Sequence, residues 1–497
     1  MPTWLAGSVV FFTSGAVLVL EILAGRLLAP YVGVRLETYT SVIGVVLAGI
    51  SLGTWLGGRL ADRVDPRRTL GPLMVGGGAL AMLSPAAVHA AGHPGLGTAD
   101  DIIGLAIVGF FLPAAVLSAV HPTIVKLQLR DLEVTGAVVG RLSAVGTAGA
   151  IVGTFVAGFV LVAAAATSTV IIAVGATLVV AGLGLWVGLA RPRPPAALLC
   201  VTLAVVAGAG TVGAVSDGPC DVETRYHCAR VIPDPARPGG RSLWLDITRH
   251  SYVDLNDPKH LELRYAKNFA DVIAATRPSG APDRRPFDAL HIGGGGFTMP
   301  AYLTAVYPGS RHVVFEIDPE LVDLARKRLR LVTGPDLRVE AGDARLLTRR
   351  LPDDSQDVVV GDAFGDLSVP WHLTTREFLS DVKRVMRPDG LYVLNLIDYP
   401  PLRFARSETA TLAAVFRHVA VVAPPSSLAG DQGGNFVLAA SDRPFDVARL
   451  DALIRARSGQ EQVAADGDAT AFAAGARVLT DDYAPVDQWL ANSRSGR

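Results

Sequence analysis

Cysteine is scarce: Cys200, Cys220 and Cys228 are the only three among 497 residues. So few exclude a disulfide-rich scaffold, and their spacing offers no metal site. Neither charge sign dominates. A formal net charge of −1 with no basic run argues against a nucleic-acid partner. Charge of either sign is also rare before residue 216, whereas Asp, Glu, Arg and Pro become frequent after it. The first half therefore reads as membrane-embedded and the second as soluble. The N-terminus lacks a basic region and a small-residue cleavage site before the next apolar stretch. It reads as a retained helix rather than a signal peptide.

What the first half does have is length. Seven apolar stretches, 5–28, 38–60, 70–91, 102–125, 142–163, 167–190 and 196–215, suffice to cross a bilayer as helices. Gly49, Gly53 and Gly57 in the second, with Gly149 and Gly153 in the fifth, recur at helical spacing and predict close helix packing in one bundle. Glu21 lies within the first span, where a carboxylate is costly unless paired or facing a cavity. His121-Pro122 marks a kink or helix end rather than a site. Arg59, Arg63, Arg67, Arg68, Lys126, Arg130, Arg141, Arg191 and Arg193 fall in alternate connections, against Arg26 and Arg35 in the others. That asymmetry places the N-terminus in the cytoplasm. Seven crossings would then put the soluble half outside, where a Cys220–Cys228 disulfide could persist. A seventh stretch, 196–215, that enters the bilayer without crossing would put that half inside instead, and sidedness stays open.

After residue 216 come short β-prone runs at 225–231, 242–248 and 251–255, a small antiparallel appendage. Asp257 and Pro258 then predict a helix start, the helix reaching about residue 275. From Phe287 strands and helices alternate. Strands are expected at 289–292, 312–317, 338–340, 357–360, 391–396, 418–422 and 436–440, and helices at 319–331, 375–386 and 404–416. The early strands are continuous apolar runs, as in a doubly wound sheet covered on both faces. Ile292 leads into Gly293-Gly294-Gly295-Gly296, a turn that lets a ligand approach the main chain. Glu316 ends the next strand, where a carboxylate can accept ribose hydroxyls, and Asp343 and Asp362 end later ones. Together they predict a nucleoside site at the carboxyl ends of the strands. Asp362 and Asp366 can hold an amine and take a proton from it.

In this order the motifs resemble the spermidine synthase family, over residues 225–441; its core is shared with class I S-adenosylmethionine-dependent methyltransferases. Gly293, Gly294 and Gly295 match its Gly-rich motif, Glu316 its ribose motif, Asp343 its adenine-side acid and Asp362 the first acid of its catalytic loop. The stretch from Ser14 through Glu21 to Arg26, and 479–485 near the end, resemble bacterial members in which a membrane domain precedes the synthase. The chain departs from the family in several places. Gly296 stands where the motif carries Asp, and His260 or Leu261 where the substrate Tyr stands, with Glu262 following. Asn395 replaces a Gln, and the two loop acids lie four apart rather than three. The nucleoside half looks kept and the amine half rebuilt.

The resemblance implies an all-α membrane bundle over 1–215, an appendage and connecting helix over 216–286, and a Rossmann-like, methyltransferase-type domain over 287–497. It implies an aminopropyl transferase using decarboxylated S-adenosylmethionine and an amine such as putrescine, with no metal. Asp362 and Asp366 would be catalytic, and His260, Glu262 and Asn395 would face the acceptor. Two alternatives stand beside it: methyl transfer from intact S-adenosylmethionine, which Gly296 would favour, and a non-catalytic membrane sensor or transporter. Homo-oligomerisation is left open.

Overall fold

The computed structural model describes residues 1–33, 36–93, 96, 98–129, 135–189, 195–215, 218–276, 286–365 and 368–494. The chain divides into two units. One is Met1–Arg230 with Leu245–Ile247; the other is Val231–Trp244 with Thr248–Arg497.

The first unit is helical. Among the described residues six helices are long and apolar enough to cross a bilayer: α1 (Thr3–Val32), α2 (Glu37–Arg63), α3 (Pro66–Ala91), α4 (Ala99–Gln128), α5 (Thr135–Ala164) and α6 (Thr167–Leu189). The seventh stretch also forms a helix, α7 (Ala196–Val215). The glycine rows do what their spacing predicts. A Cβ at Gly53 would fall on the Ala115 carbonyl of α4, and one at Gly153 would stand 2.5 Å from the Gly15 carbonyl oxygen of α1. Contacts this close put dispersion where apolar burial gives no drive between helices in lipid. Pro113 cannot donate to the Gly109 carbonyl one turn earlier, and a π-turn at Ile107–Phe111 precedes it. The Ser84 hydroxyl of α3 donates to that carbonyl at 2.6 Å instead. Near His121-Pro122 the helix is interrupted at Ala119 but runs on to Gln128. The Arg26 guanidinium donates to the Thr224 and Arg225 carbonyls.

The division between the units falls within a small four-stranded sheet, β1 (Val222–Glu223), β2 (Cys228–Pro233), β3 (Gly240–Leu245) and β4 (Thr248–Asp254), in that spatial order. The expected helix start at Asp257 is corrected: α8 spans Arg264–Thr276. The Asp254 carboxylate accepts from the Asn256 and Asp257 amides, and Asp257 accepts from Lys259. These side chains compete with the helix for backbone donors and win, leaving 257–263 as a turn that presents His260.

The second unit is built on an eight-stranded sheet: β5 (Asp288–Ile292), β6 (Arg311–Glu316), β7 (Leu337–Ala341), β8 (Gln356–Gly361), β9 (Met386–Asp398), β10 (His418–Ala423), β11 (Gly434–Ser441) and β12 (Gln462–Ala465). Its order is β12-β10-β11-β9-β8-β5-β6-β7. The pairs β5–β6, β6–β7, β5–β8 and β8–β9 are parallel, and β11 enters antiparallel to β9 and β10. Strand order reverses at β5, with β6 on one side and β8 on the other. Helices α9 (Thr298–Val306), α10 (Pro319–Arg328), α11 (Ala344–Thr348), α12 (Arg376–Val385), α13 (Arg403–Ala413) and α14 (Val447–Ala456) connect the strands. Leu290, Ile292, Phe315 and Val359 share a core with Phe378 and Leu412; Ala289, Val358, Val360 and Val393 share another with Phe269 and Leu303. Both sheet faces are thus dry, and the strands are mostly apolar, with His291 and His312 buried and bonded to each other at 3.1 Å. The helix expected to reach 386 ends at Val385, and Met386 begins β9 by pairing with Gln356. The short strand β12 had no apolar run to announce it.

Candidate active site

The carboxyl ends of β5, β6 and β8 meet at the reversal point. Backbone bonds hold them in place: Gly293 N donates to Phe315 O at 2.9 Å, and Asp362 N to Ile292 O at 2.8 Å. Gly293 has φ +93°, and a Cβ there would stand 2.5 Å from the Asp362 carbonyl oxygen. Only glycine fits that position.

Glu316 ends β6 with 6 % of its surface exposed. One carboxylate oxygen accepts from Gly294 N at 2.8 Å and Gly295 N at 3.2 Å; the other accepts from Asp318 N at 3.0 Å. Burial pushes its carboxyl up, and those amides pull it back. The glycine turn and the acidic residue predicted for one ligand are therefore in direct contact. Three amides spread over both oxygens hold this carboxylate, taking three of the roughly four acceptor positions such a group offers. Asp318 caps α10 through Glu320 N and Leu321 N.

Gly296 donates its amide to the Ser251 hydroxyl at 2.9 Å. A Cβ on Gly296 would stand 2.7 Å from Ser251 Cβ. The acid absent from the glycine motif thus has its space taken by β4.

Asp343 caps α11 through Arg345 N, and the His372 imidazole lies 3.7 Å away. Arg345 reaches Asp481 at 2.6 Å, and Asp481 also accepts from the Thr375 hydroxyl at 2.7 Å. The stretch 479–485, noticed in the sequence without a role, is the strap that holds the helix behind Asp343.

Asp362 follows β8. Its carboxylate accepts from Asn395 Nδ2 at 3.1 Å, and Asn395 Oδ1 accepts from Asn435 Nδ2 at 2.9 Å. The Tyr265 hydroxyl of α8 donates to the His250 carbonyl at 3.2 Å and is close enough to Asp362 to pull its carboxyl down. Burial pushes the Asp362 carboxyl up to about 6, against the opposing pull of Asn395 and Tyr265. A carboxyl with that value sheds and regains a proton near neutrality. Tyr265 was missed in the sequence: it lies in the 260–265 stretch, but no motif marks it, and only the turn before α8 brings it to Asp362.

His260 bonds to Glu262 at 3.2 Å and meets the Tyr252 ring edge-on at 5.8 Å. Leu261 is buried in the apolar core beside Phe269, which leaves His260 as the polar group of that pair. Asp366 lies outside the described residues. Among the described residues no cluster of three or more metal-ligating side chains occurs.

Residues 290–394 match the Methyltransferase domain family. A polyamine aminopropyltransferase from Vibrio vulnificus (strain CMCP6) is 34 % identical over 134 residues, 27 % of this chain and 44 % of that protein. One from Chromobacterium violaceum is 30 % identical over 158 residues, 31 % of this chain and 57 % of that protein. The chain thus spans about half the length of the curated relatives it matches. The crystal structure of a probable spermidine synthase from Corynebacterium glutamicum ATCC 13032 superposes with a TM-score of 0.50 at 32 % identity, covering 52 % of this chain and 95 % of that one. With the sheet order, the glycine–Glu316 contact and this near-complete coverage in hand, the chain belongs to the spermidine synthase (polyamine aminopropyltransferase) family.

Proposed function

We propose that the protein is a membrane-anchored aminopropyltransferase that moves an aminopropyl group from decarboxylated S-adenosylmethionine to a small amine such as putrescine. In this reading 1–215 is the membrane domain, 216–286 the appendage with its connecting helix, and 287–497 the catalytic domain. Gly293, Gly294 and Gly295 line the donor's path, Glu316 accepts the ribose hydroxyls and Asp343 faces the adenine. Asp362, with Asp366 from the same loop, holds the acceptor amine; His260, Glu262 and Asn395 flank it.

The observation that carries the reading is the Asp362 environment. Attack requires a neutral amine, and a carboxylate whose proton affinity is raised toward neutrality can accept the proton as the C–N bond forms. The amine nitrogen displaces the thioether at the methylene carbon of the sulfonium. The C–S bond breaks, its electron pair returns to sulfur as methylthioadenosine leaves, and Asp362 takes the proton. Asn395, held by Asn435, keeps the carboxylate aimed; in-line positioning supplies much of the acceleration.

Gly296 supports a second reading, methyl transfer from the intact donor, since no carboxylate from the turn opposes the donor's own. Product analysis on the solubilised full chain, given both donors and putrescine, decides. Methylthioadenosine and spermidine are expected; S-adenosylhomocysteine as the nucleoside product would replace this reading by methyl transfer.

A further inference from the structure

We infer that the catalytic unit works on the face of the membrane opposite the Arg-rich connections, in an oxidising compartment outside the cytoplasm. The inference rests on the proposed membrane insertion and sharpens where the proposed reaction takes place.

The helical unit has two distinct ends. At one, Gln128 at the end of α4 donates to the Met1 carbonyl at 3.1 Å, and Lys126 pairs with Asp62 near the end of α2 at 2.7 Å. The first residues of α3 meet the last of α6 there too: a Cβ at Gly71 would run into Trp186. This end carries Arg59, Arg63, Arg67 and Arg68 in sequence around the α2–α3 connection. At the other end, Tyr31 of α1 meets His89 of α3 with ring centres 6.4 Å apart.

Helix α7 settles which end the following chain leaves from. It starts after α6 has returned to the Arg-rich end. Farther along, a Cβ at Gly210 would stand 2.6 Å from Met82 Cε, and Gly213 packs on the Met82 carbonyl. Next, a Cβ at Gly218 would stand 3.0 Å from the His89 ring. The contacts advance along α3 as they advance along α7, so the two run parallel. With 20 residues α7 is about 30 Å long, the thickness of the hydrocarbon layer. It crosses rather than dipping in and returning.

The segment that emerges is fastened to that far end. Glu223 accepts from Ser168 N at the start of α6 at 3.2 Å, Arg225 donates to Ala163 O near the end of α5 at 3.4 Å, and Arg26 holds the Thr224 and Arg225 carbonyls. In this segment Cys220 and Cys228 form a disulfide. Among the described residues beyond it, no helix is long and apolar enough to cross back. Two independent physical signals therefore agree. Cationic connections stay in the cytoplasm, and a disulfide persists where thiols are not kept reduced.

One consequence concerns the order of steps. An adenosyl sulfonium carries a fixed charge that no proton transfer can remove, so it does not cross hydrocarbon unaided. A carrier-mediated transport step must deliver the donor to this face before transfer.

The test uses the full chain in cells. Carbonate-washed membranes must retain the protein; its release would overturn membrane insertion itself, a separate failure. With free thiols blocked in denaturant, Cys200 alone should be alkylated before reduction and all three cysteines after it; three free thiols before reduction would overturn the inference. In a Cys200→Ala background, Ser458→Cys should react with an impermeant maleimide in intact spheroplasts, whereas Arg67→Cys should react only after lysis. The reverse pattern would place the catalytic unit in the cytoplasm. Donor and amine added to intact spheroplasts should be turned over at the same rate before and after permeabilisation. Turnover confined to permeabilised cells would overturn the inference, and absent turnover with correct labelling would instead count against the reaction.

Discussion

The proposed donor and acceptor halves of the site are built by different means. The donor half is mostly main chain: a glycine turn, its amides, and one carboxylate at the next strand end. The acceptor half is a relay of side chains, Tyr265, Asp362, Asn395 and Asn435, drawn from four elements spread over the second unit. A site made of backbone conformation needs glycine and tolerates little substitution. A site made of side chains can be rebuilt around one retained acid. That difference explains how His260 and Asn395 can depart from the family pattern while Gly293, Gly294, Gly295 and Glu316 stay in place.

The comparison predicts unequal consequences. Asp362→Asn removes the proton acceptor and should lower kcat by roughly 10²–10⁴-fold, the usual worth of a general base. Retained activity in a steady-state assay would demote Asp362 to a structural role. Gly293→Ala forces a Cβ onto the Asp362 carbonyl at φ +93°, and strain of about 1–3 kcal/mol should appear as a lowered thermal midpoint with weakened nucleoside binding. An unchanged midpoint would show that the turn relaxes freely. Glu316→Gln weakens the charge-assisted bonding proposed between Glu316 and the ribose and should cost about 1.5–3 kcal/mol in calorimetric affinity for methylthioadenosine. Equal affinity would remove Glu316 from the donor site.

The smallest effect concerns pH. In the proposed reaction the base form of Asp362 is the active one, so kcat/KM should fall as pH drops through about 6. Tyr265→Phe removes a hydroxyl that holds the carboxyl down, and this acid limb should move to higher pH with only a modest loss at alkaline pH. A limb that stays in place would separate Tyr265 from Asp362.

The donor half was legible because its signals are local. Gly293–Gly296 are consecutive, and Glu316 follows at the distance a strand–helix–strand unit imposes. The bundle was legible for the same reason, through apolar length and glycine spacing. In the acceptor half Asp362 and Asn395 were legible but Tyr265 was not, because it comes near Asp362 only through the turn at 257–263, where Asp254 and Asp257 bind backbone donors that a helix would have used. Residues 479–485 were noticed but not understood: Asp481 acts through Arg345 and Thr375, both more than a hundred positions away. Nor did apolar pattern reveal β12, whose four residues alternate weakly at a sheet edge.

The separation of the two halves is tested most directly by titrating methylthioadenosine into the Asp362→Asn variant of the full chain. The account predicts wild-type affinity in a protein that no longer turns over, because the nucleoside is held by the turn and Glu316. Loss of nucleoside affinity together with turnover, in a variant whose thermal midpoint is unchanged, would contradict it.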